Sequence, residues 1–76
     1  MPAIPAKRVH TRIQERLRLS EITQSQAAAG LHMSQSAFSR RYLGYVEFRA
    51  SEIEALAALL GVEIGELVGE SSKASL

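Results

Sequence analysis

The chain has 76 residues, no cysteine and a formal net charge of +1. A chain of this length forms a single domain, and without cysteine it has neither disulfide bridges nor a thiolate zinc site to stabilise that domain. It has no apolar run long enough to span a membrane and no secretory signal. We therefore expect a cytoplasmic protein with no membrane partner.

The small net charge hides an uneven distribution along the chain. Residues 1–49 contain eight Lys and Arg against three Glu, a net charge of +5, whereas residues 50–76 contain one Lys against five Glu, a net charge of −4. A basic half suits a surface that binds phosphate groups, but ordinary solvated helix faces produce the same pattern. Charge alone leaves both interpretations open.

The chain begins with a segment that should not be helical. Pro2 and Pro5 cannot sustain a helix, so we expect residues 1–8 to form a mobile basic arm that carries Lys7 and Arg8. Such an arm can lie along a nucleic-acid groove, although basic tails also serve solubility.

A first helix follows the arm. Val9, Ile13 and Leu17 recur every four residues and indicate the buried stripe of this helix. Thr11 and Gln14 have the spacing of a capping box, which predicts a helix start nearer Thr11 than Val9.

Two short helices joined by a tight turn come next. Thr23 and Gln26 form a capping box in front of a helix over about 24–30, in which three alanines at 27–29 allow another helix to cross closely. Ser34 caps a further helix over about 34–43, and Gly44 can adopt the left-handed conformation that ends it.

A loop and two more helices complete the predicted fold. We expect Val46 and Phe48 to anchor the loop to the core, and Ser51 with Glu54 to form a third capping box. The inward face of the fourth helix consists of Ile53, Leu56, Ala57 and Leu60.

Gly61 ends the fourth helix. A short helix over 63–68 then brings Ile64 and Leu67 inward, and residues 69–76 form a polar tail. With Phe38 and Tyr42 packing one turn apart in the third helix, the whole pattern predicts an all-α fold.

Residues 23–44 (TQSQAAAGLHMSQSAFSRRYLG) resemble the helix-turn-helix of the Cro/lambda-repressor (XRE-type) family of bacterial and phage regulators. One position departs from the family pattern, because His32 stands where the family usually has glycine. His tolerates the positive φ of such a turn better than most residues other than glycine. The resemblance extends over 9–68 through residues 12–15 (RIQE), 22–24 (ITQ), 53–57 (IEALA), 60–62 (LGV) and 66–67 (EL).

The resemblance implies a compact five-helix, lambda-repressor-like DNA-binding domain over 9–68, with the helix-turn-helix formed by helices 2 and 3. It implies a sequence-specific transcriptional regulator, chiefly a repressor of the phage or mobile-element immunity type, that binds a double-stranded DNA operator on the bacterial nucleoid. We expect it to pair as a homodimer on DNA through Leu59, Val68 or their neighbours in the acidic half.

The resemblance also implies which side chains contact DNA. The third helix would lie in the major groove, where Gln can pair with adenine, Arg with guanine and Ser with either. The predicted base-reading residues are Gln35, Ser36, Ser39 and Arg40. The predicted phosphate contacts are Gln24, Arg12, Ser34, Arg41, Lys7 and Arg8.

Two of these assignments have ordinary structural alternatives. The polar residues of the third helix could be only the solvated face of an amphipathic helix, although the preceding motif favours DNA. Arg12 could equally form a surface ion pair with a nearby Glu.

No residue pattern indicates an enzyme, a cofactor, a metal site or a small-molecule ligand. His10 and His32 lack any metal-binding spacing, although His32 could touch a phosphate. Two other functions remain open: an antitoxin or controller protein whose main partner is another protein, and a helical interaction module that does not bind DNA.

Overall fold

The computed structural model describes residues 8–69, and within this range the chain forms five α-helices and no strand. The all-α prediction is confirmed for this part of the chain. None of these helices is long and apolar enough to cross a membrane. The helices are α1 (Arg8–Leu19), α2 (Gln24–Gly30), α3 (Gln35–Tyr42), α4 (Ala50–Leu60) and α5 (Ile64–Val68).

One hydrophobic core joins all five helices. α1 contacts α3 and α5, α2 contacts α3 and α4, and α4 contacts α5. Because helices this short are not stable alone, packing against this core must supply most of their stability. The buried residues are Ile13, Leu17, Ala27, Ala28, Phe38, Ile53, Leu56, Ala57 and Leu67.

Phe38 of α3 lies at the centre of this core and is fully buried. Its ring centroid is 5.8 Å from that of Tyr42 and 5.9 Å from that of Phe48, in tilted and edge-on arrangements. The predicted packing of Phe38 with Tyr42 is confirmed, and Phe48 ties the loop between α3 and α4 to the same core.

The predicted start of α1 at Thr11 is wrong. The helix already includes Arg8, and Thr11 is an exposed residue of its interior. Gln14 does not cap the helix, because its Nε2 donates to the carbonyl oxygen of Tyr42 at 2.7 Å. This hydrogen bond joins α1 to the C-terminal end of α3. The rest of the predicted arm and the tail beyond Gly69 lie outside the described residues.

The predicted capping box of Ser51 and Glu54 is also wrong. α4 begins at Ala50, and its N-cap is Arg49. The carboxylate of Glu52 accepts from the backbone N–H of Arg49 at 2.8 Å, and the same oxygen accepts from Nε of Arg41 at 3.0 Å. Glu52 therefore accepts the hydrogen bond at the N-terminus of α4, and the capping pair lies two residues before the predicted pair of Ser51 and Glu54.

Three apolar residues differ from their predicted burial. Val46 and Ile64 were expected inside, but they are 39% and 44% exposed. In the loop Phe48 packs against the core, and in the five-residue α5 Leu67 is the buried residue. Val68, expected at the surface, instead packs half-buried against the core.

Leu59, by contrast, is exposed as predicted. Its side chain lies over Gly30 at the end of α2, where an added Cβ would come within 3.1 Å of Leu59 Cδ2. Small residues in α2 thus allow α4 to approach closely.

Candidate nucleic-acid interface

The start of α2 is fixed by the predicted capping box, which is confirmed. Thr23 Oγ1 accepts from the Gln26 N–H at 3.0 Å, and the Thr23 N–H donates to Gln26 Oε1 at 3.0 Å. This reciprocal pair provides acceptors for two backbone N–H groups at the N-terminus of α2, those of Thr23 and Gln26. It leaves the side chains of Gln24 and Ser25 exposed on the first turn.

A tight turn over residues 31–34 joins α2 to α3. The Leu31 N–H bonds to the carbonyl oxygens of the last turn of α2, and the Met33 N–H bonds to the carbonyl of Ala28 at 3.0 Å. Leu31 and Met33 pack against the core. Between them His32 is exposed and has a φ of 59°, so the positive φ expected at this position is present.

The start of α3 is capped by Ser34, as predicted. Its Oγ accepts from the Ala37 N–H at 3.0 Å, and its hydroxyl hydrogen can still be donated to a ligand. Gln35 and Ser36 follow as exposed residues of the first turn. Arg40 lies one turn beyond Ser36 on the same face and is also exposed, whereas Ser39 is half-buried.

The first turns of α2 and α3 meet at a side-chain contact. The hydroxyl of Ser25 donates to Gln35 Oε1 at 3.4 Å, across ten residues of sequence. We refer to the exposed polar side chains on the first turns of α2 and α3, together with Arg40 one turn beyond Ser36, as the polar cluster. Its members are Gln24, Ser25, Gln35, Ser36 and Arg40.

Sequence reasoning missed Ser25. The capping box at Thr23 places it on the first turn of α2, but its distance from Gln35 depends on how the turn at His32 folds. The spacing of residues within one helix does not reveal which side chains of another helix it contacts. The signal that could have pointed to Ser25 is its position as the second residue of the capped helix α2.

The polar cluster lies in a stretch of the chain without carboxylates. The sequence has no Asp or Glu between Glu21 and Glu47. The surface over α2 and α3 therefore carries the cation of Arg40 and neutral hydrogen-bonding groups, with no local negative charge from these helices. Such a surface can accept a polyanion and form hydrogen bonds with its polar edges.

The side chain of Arg41 is mostly buried and paired within the protein, and a phosphate contact by Arg41 stays a prediction. Its Nε pairs with Glu52 Oε1 at 3.0 Å, and its NH1 donates to the Ala37 carbonyl at 3.0 Å. Only 17% of its side chain is exposed. Its charge is used inside the protein, to join α3 to the start of α4.

Arg12 is not brought together with the polar cluster. Its guanidinium lies beside Gly69, where an added Cβ would come within 2.6 Å of Arg12 Nε. Arg16, one turn further along α1, pairs with Glu66 of α5 at 3.1 Å. This flank of α1 faces α5, whereas Gln14 faces α3 from the opposite flank. A phosphate contact by Arg12 stays a prediction.

Lys7 and the side chain of Arg8 lie outside the described residues. Among residues 8–69, no three His, Asp or Glu side chains come together in an arrangement that could hold a metal ion.

Within residues 8–69 these features define a small helical domain with exposed polar side chains on α2 and α3, two helices that contain no carboxylate. Comparisons of the chain with protein-family models, with curated proteins and with solved structures found no match.

Proposed function

We propose that this chain is a sequence-specific double-stranded DNA-binding regulator, in which α2, the turn and α3 form a helix-turn-helix within a lambda-repressor-like fold. The observation that carries the proposal is the contact of Ser25 with Gln35. It brings the exposed first turns of two capped helices together, with no carboxylate between Glu21 and Glu47. In a helix-turn-helix the second helix lies in the major groove with its N-terminal residues at the base edges, and the first helix crosses the DNA backbone.

The first residues of α3 would read base edges in the major groove. The amide of Gln35 can pair with adenine and the guanidinium of Arg40 with guanine, each discriminating by about 1–3 kcal/mol. Ser36 would donate to or accept from either base. Ser39 is half-buried, so its contribution would be limited to a contact by its hydroxyl.

Ser25 would act by orienting Gln35. A hydroxyl that donates to Gln35 Oε1 holds the amide plane and leaves its NH₂ group turned away from α2. Held in one orientation, the amide would lose less conformational freedom when it pairs with a base.

Phosphate contacts would set the register of the protein on DNA. Gln24 and the Ser34 hydroxyl flank the bases that α3 reads, and Lys7, Arg8 and Arg12 would contribute more distant contacts. By occupying an operator, the protein would block access of RNA polymerase and act as a repressor in the bacterial cytoplasm. No catalysis is involved.

Pairing on a two-fold operator would increase affinity, because one domain makes few contacts. Two copies would bind half-sites about one helical turn apart. Leu59, an exposed apolar residue of the acidic half, suits the expected pairing surface. Val68 is less suitable, since it packs against the core of its own chain.

Selection of bound sequences from a random duplex DNA pool, at low and near-physiological salt, tests this function. Enrichment of an inverted repeat would support a dimeric operator-binding regulator, and a single half-site would indicate a monomeric reader. Because phosphate contacts release counterions, affinity for the selected site should fall steeply with salt. Absence of enrichment at both salt concentrations would contradict the proposal and favour a protein partner.

Arg40→Ala tests the assignment of residues once a site is selected. We expect a loss of affinity of about 1–3 kcal/mol, roughly 5- to 150-fold, with relaxed preference at one base position. Arg16→Ala is the matched control, because it removes the same charge from the flank that faces α5. Equal losses from the two variants, on selected and scrambled DNA alike, would contradict base reading by Arg40.

A further inference from the structure

The carbonyl groups in the last turn of α3 bond to donors from two different parts of the fold. The last four carbonyl oxygens of an α-helix have no donor within the helix itself. In α3 the first three, in residues 39–41, accept backbone N–H groups of residues 43–46, directly after the helix. The fourth, that of Tyr42, accepts from Gln14 Nε2 of α1 at 2.7 Å. A side chain of another helix therefore completes the C-terminal end of α3.

The N-terminal end of α3 is held by a different neighbour. Ser25 of α2 contacts Gln35 in the first turn of α3, and the turn over residues 31–34 joins the two helices directly. α1 is itself fixed in the core, since Ile13, next to Gln14, is fully buried. The two ends of α3 are thus held by α2 and by α1.

The length of α3 determines which base contact depends on Gln14. A helix rises about 1.5 Å per residue, so Arg40 lies about 7.5 Å along the axis from Gln35. If the C-terminal end is released, α3 can tilt about its first turn, and each residue moves in proportion to its distance from that turn. Arg40 then moves more than Gln35. A bidentate pair with guanine tolerates little displacement, because both donors must keep their hydrogen-bonding distance and angle.

A second connection holds the same end of α3 from another side. Arg41 Nε pairs with Glu52 of α4 at 3.0 Å, which restrains the side of α3 that faces α4. The hydrogen bond of Gln14 is made to the main chain of α3 and restrains the side that faces α1. Without Gln14 the end of α3 is held from α4 alone and can move away from α1.

We propose that Gln14 is a positioning residue for base reading, which fixes the C-terminal end of α3 and so places Arg40 for its contact with guanine. This inference rests on the proposed function. Gln14 acts through α3, because its amide is already bonded to the Tyr42 carbonyl. Its role is the counterpart of that of Ser25, which orients Gln35 at the other end of the helix.

Binding of single-base variants of the selected DNA site tests the proposal, at a temperature at which circular dichroism shows every protein variant to be folded. Arg40→Ala and Gln35→Ala first identify the base position that each residue reads. Gln14→Met keeps an unbranched side chain but has no donor. We expect it to lower the preference at the Arg40 position by about 2- to 12-fold, the range for the loss of one hydrogen bond. The preference at the Gln35 position should not change.

Three control variants separate positioning from a general loss of stability. Ile13→Val removes one buried methyl group from the same helix and leaves Gln14 in place, so both base preferences should stay as in the unmodified chain. Gln14→Lys keeps a donor for the Tyr42 carbonyl and should retain the preference at the Arg40 position. Ser25→Ala should show the opposite pattern to Gln14→Met, with a loss at the Gln35 position alone.

Three results would overturn the positioning role. Gln14→Met could keep the full preference at the Arg40 position, lose preference equally at both positions, or show the same binding as Ile13→Val. In each case the unmodified chain still selects a site, so the proposed function stands. If the unmodified chain selects no site, the proposed function fails and the positioning role fails with it.

Discussion

Two ion pairs of nearly equal length should contribute very differently to stability. Arg41 and Glu52 are 3.0 Å apart with side chains 17% and 14% exposed, whereas Arg16 and Glu66 are 3.1 Å apart with side chains 42% and 40% exposed. The substitutions Glu52→Gln and Glu66→Gln remove one negative charge each and change little in shape. The difference between them therefore reports on burial and on the additional hydrogen bond of Glu52.

The expected loss for Glu52→Gln follows from its contacts. One carboxylate oxygen accepts both Arg41 Nε and the Arg49 N–H. A hydrogen bond to a charged group contributes about 1.5–3 kcal/mol and a neutral one about 0.5–1.5 kcal/mol, so two weakened bonds cost roughly 2 kcal/mol. The bond from Arg41 to the Ala37 carbonyl partly compensates the guanidinium that is left unpaired.

Glu66→Gln should cost much less, because exposed ion pairs contribute about 0–1 kcal/mol. For a domain of this size 1 kcal/mol corresponds to about 4–8 °C in Tm. Thermal unfolding followed by far-ultraviolet circular dichroism should thus show a decrease of roughly 8–16 °C for Glu52→Gln. For Glu66→Gln the decrease should be about half of that or less, and smaller again at high salt.

The reasoning is refuted if the two variants lose equal stability, or if Glu52→Gln unfolds at the temperature of the unmodified chain. Either result would mean that the Arg41–Glu52 pair is as well solvated as the exposed one. Arg41 would then be free to contact phosphate, as its position in the sequence first indicated.

Three further substitutions test local features of the fold. Gly44→Ala places a Cβ at a φ of 93° and within 2.8 Å of the His10 ring, so we expect the free energy of unfolding in urea to fall by about 2 kcal/mol. His10→Ala should restore part of this stability, and an identical loss with and without His10 would argue against the clash. Thr23→Ala removes the acceptor of the α2 capping box and should cost about 1 kcal/mol, whereas Thr23→Ser should be nearly neutral; equal unfolding midpoints for the two would contradict the cap. Phe38→Ala should cost about 3–5 kcal/mol, since the side chain is fully buried, and a cooperative transition near the original midpoint would contradict its central place in the core.

The sequence by itself determined the all-helical character of residues 8–69, the capping of α2 and α3 and the buried stripe of α1. Capping at Thr23 and Ser34 appears at the predicted places because an N-cap involves residues only three positions apart. The stripe of Ile13 and Leu17 is buried as the four-residue spacing indicates. The shared exposed face of Ser36 and Arg40 in the candidate interface also follows from the period of a helix, because residues four positions apart lie on one face.

The tertiary structure decided how these elements use their polar groups. Gln14 has the spacing of a capping residue, but it bonds to Tyr42, which is 28 residues away. The sequence alone does not show that Arg41 is paired, because its partner Glu52 lies in α4. Likewise, Ser25 contacts Gln35 because the turn at His32 places the first turns of α2 and α3 side by side. A side chain that has several possible partners bonds to the one that packing brings within reach. Distances between helices depend on the whole core, and the spacing of residues within a single helix does not specify them.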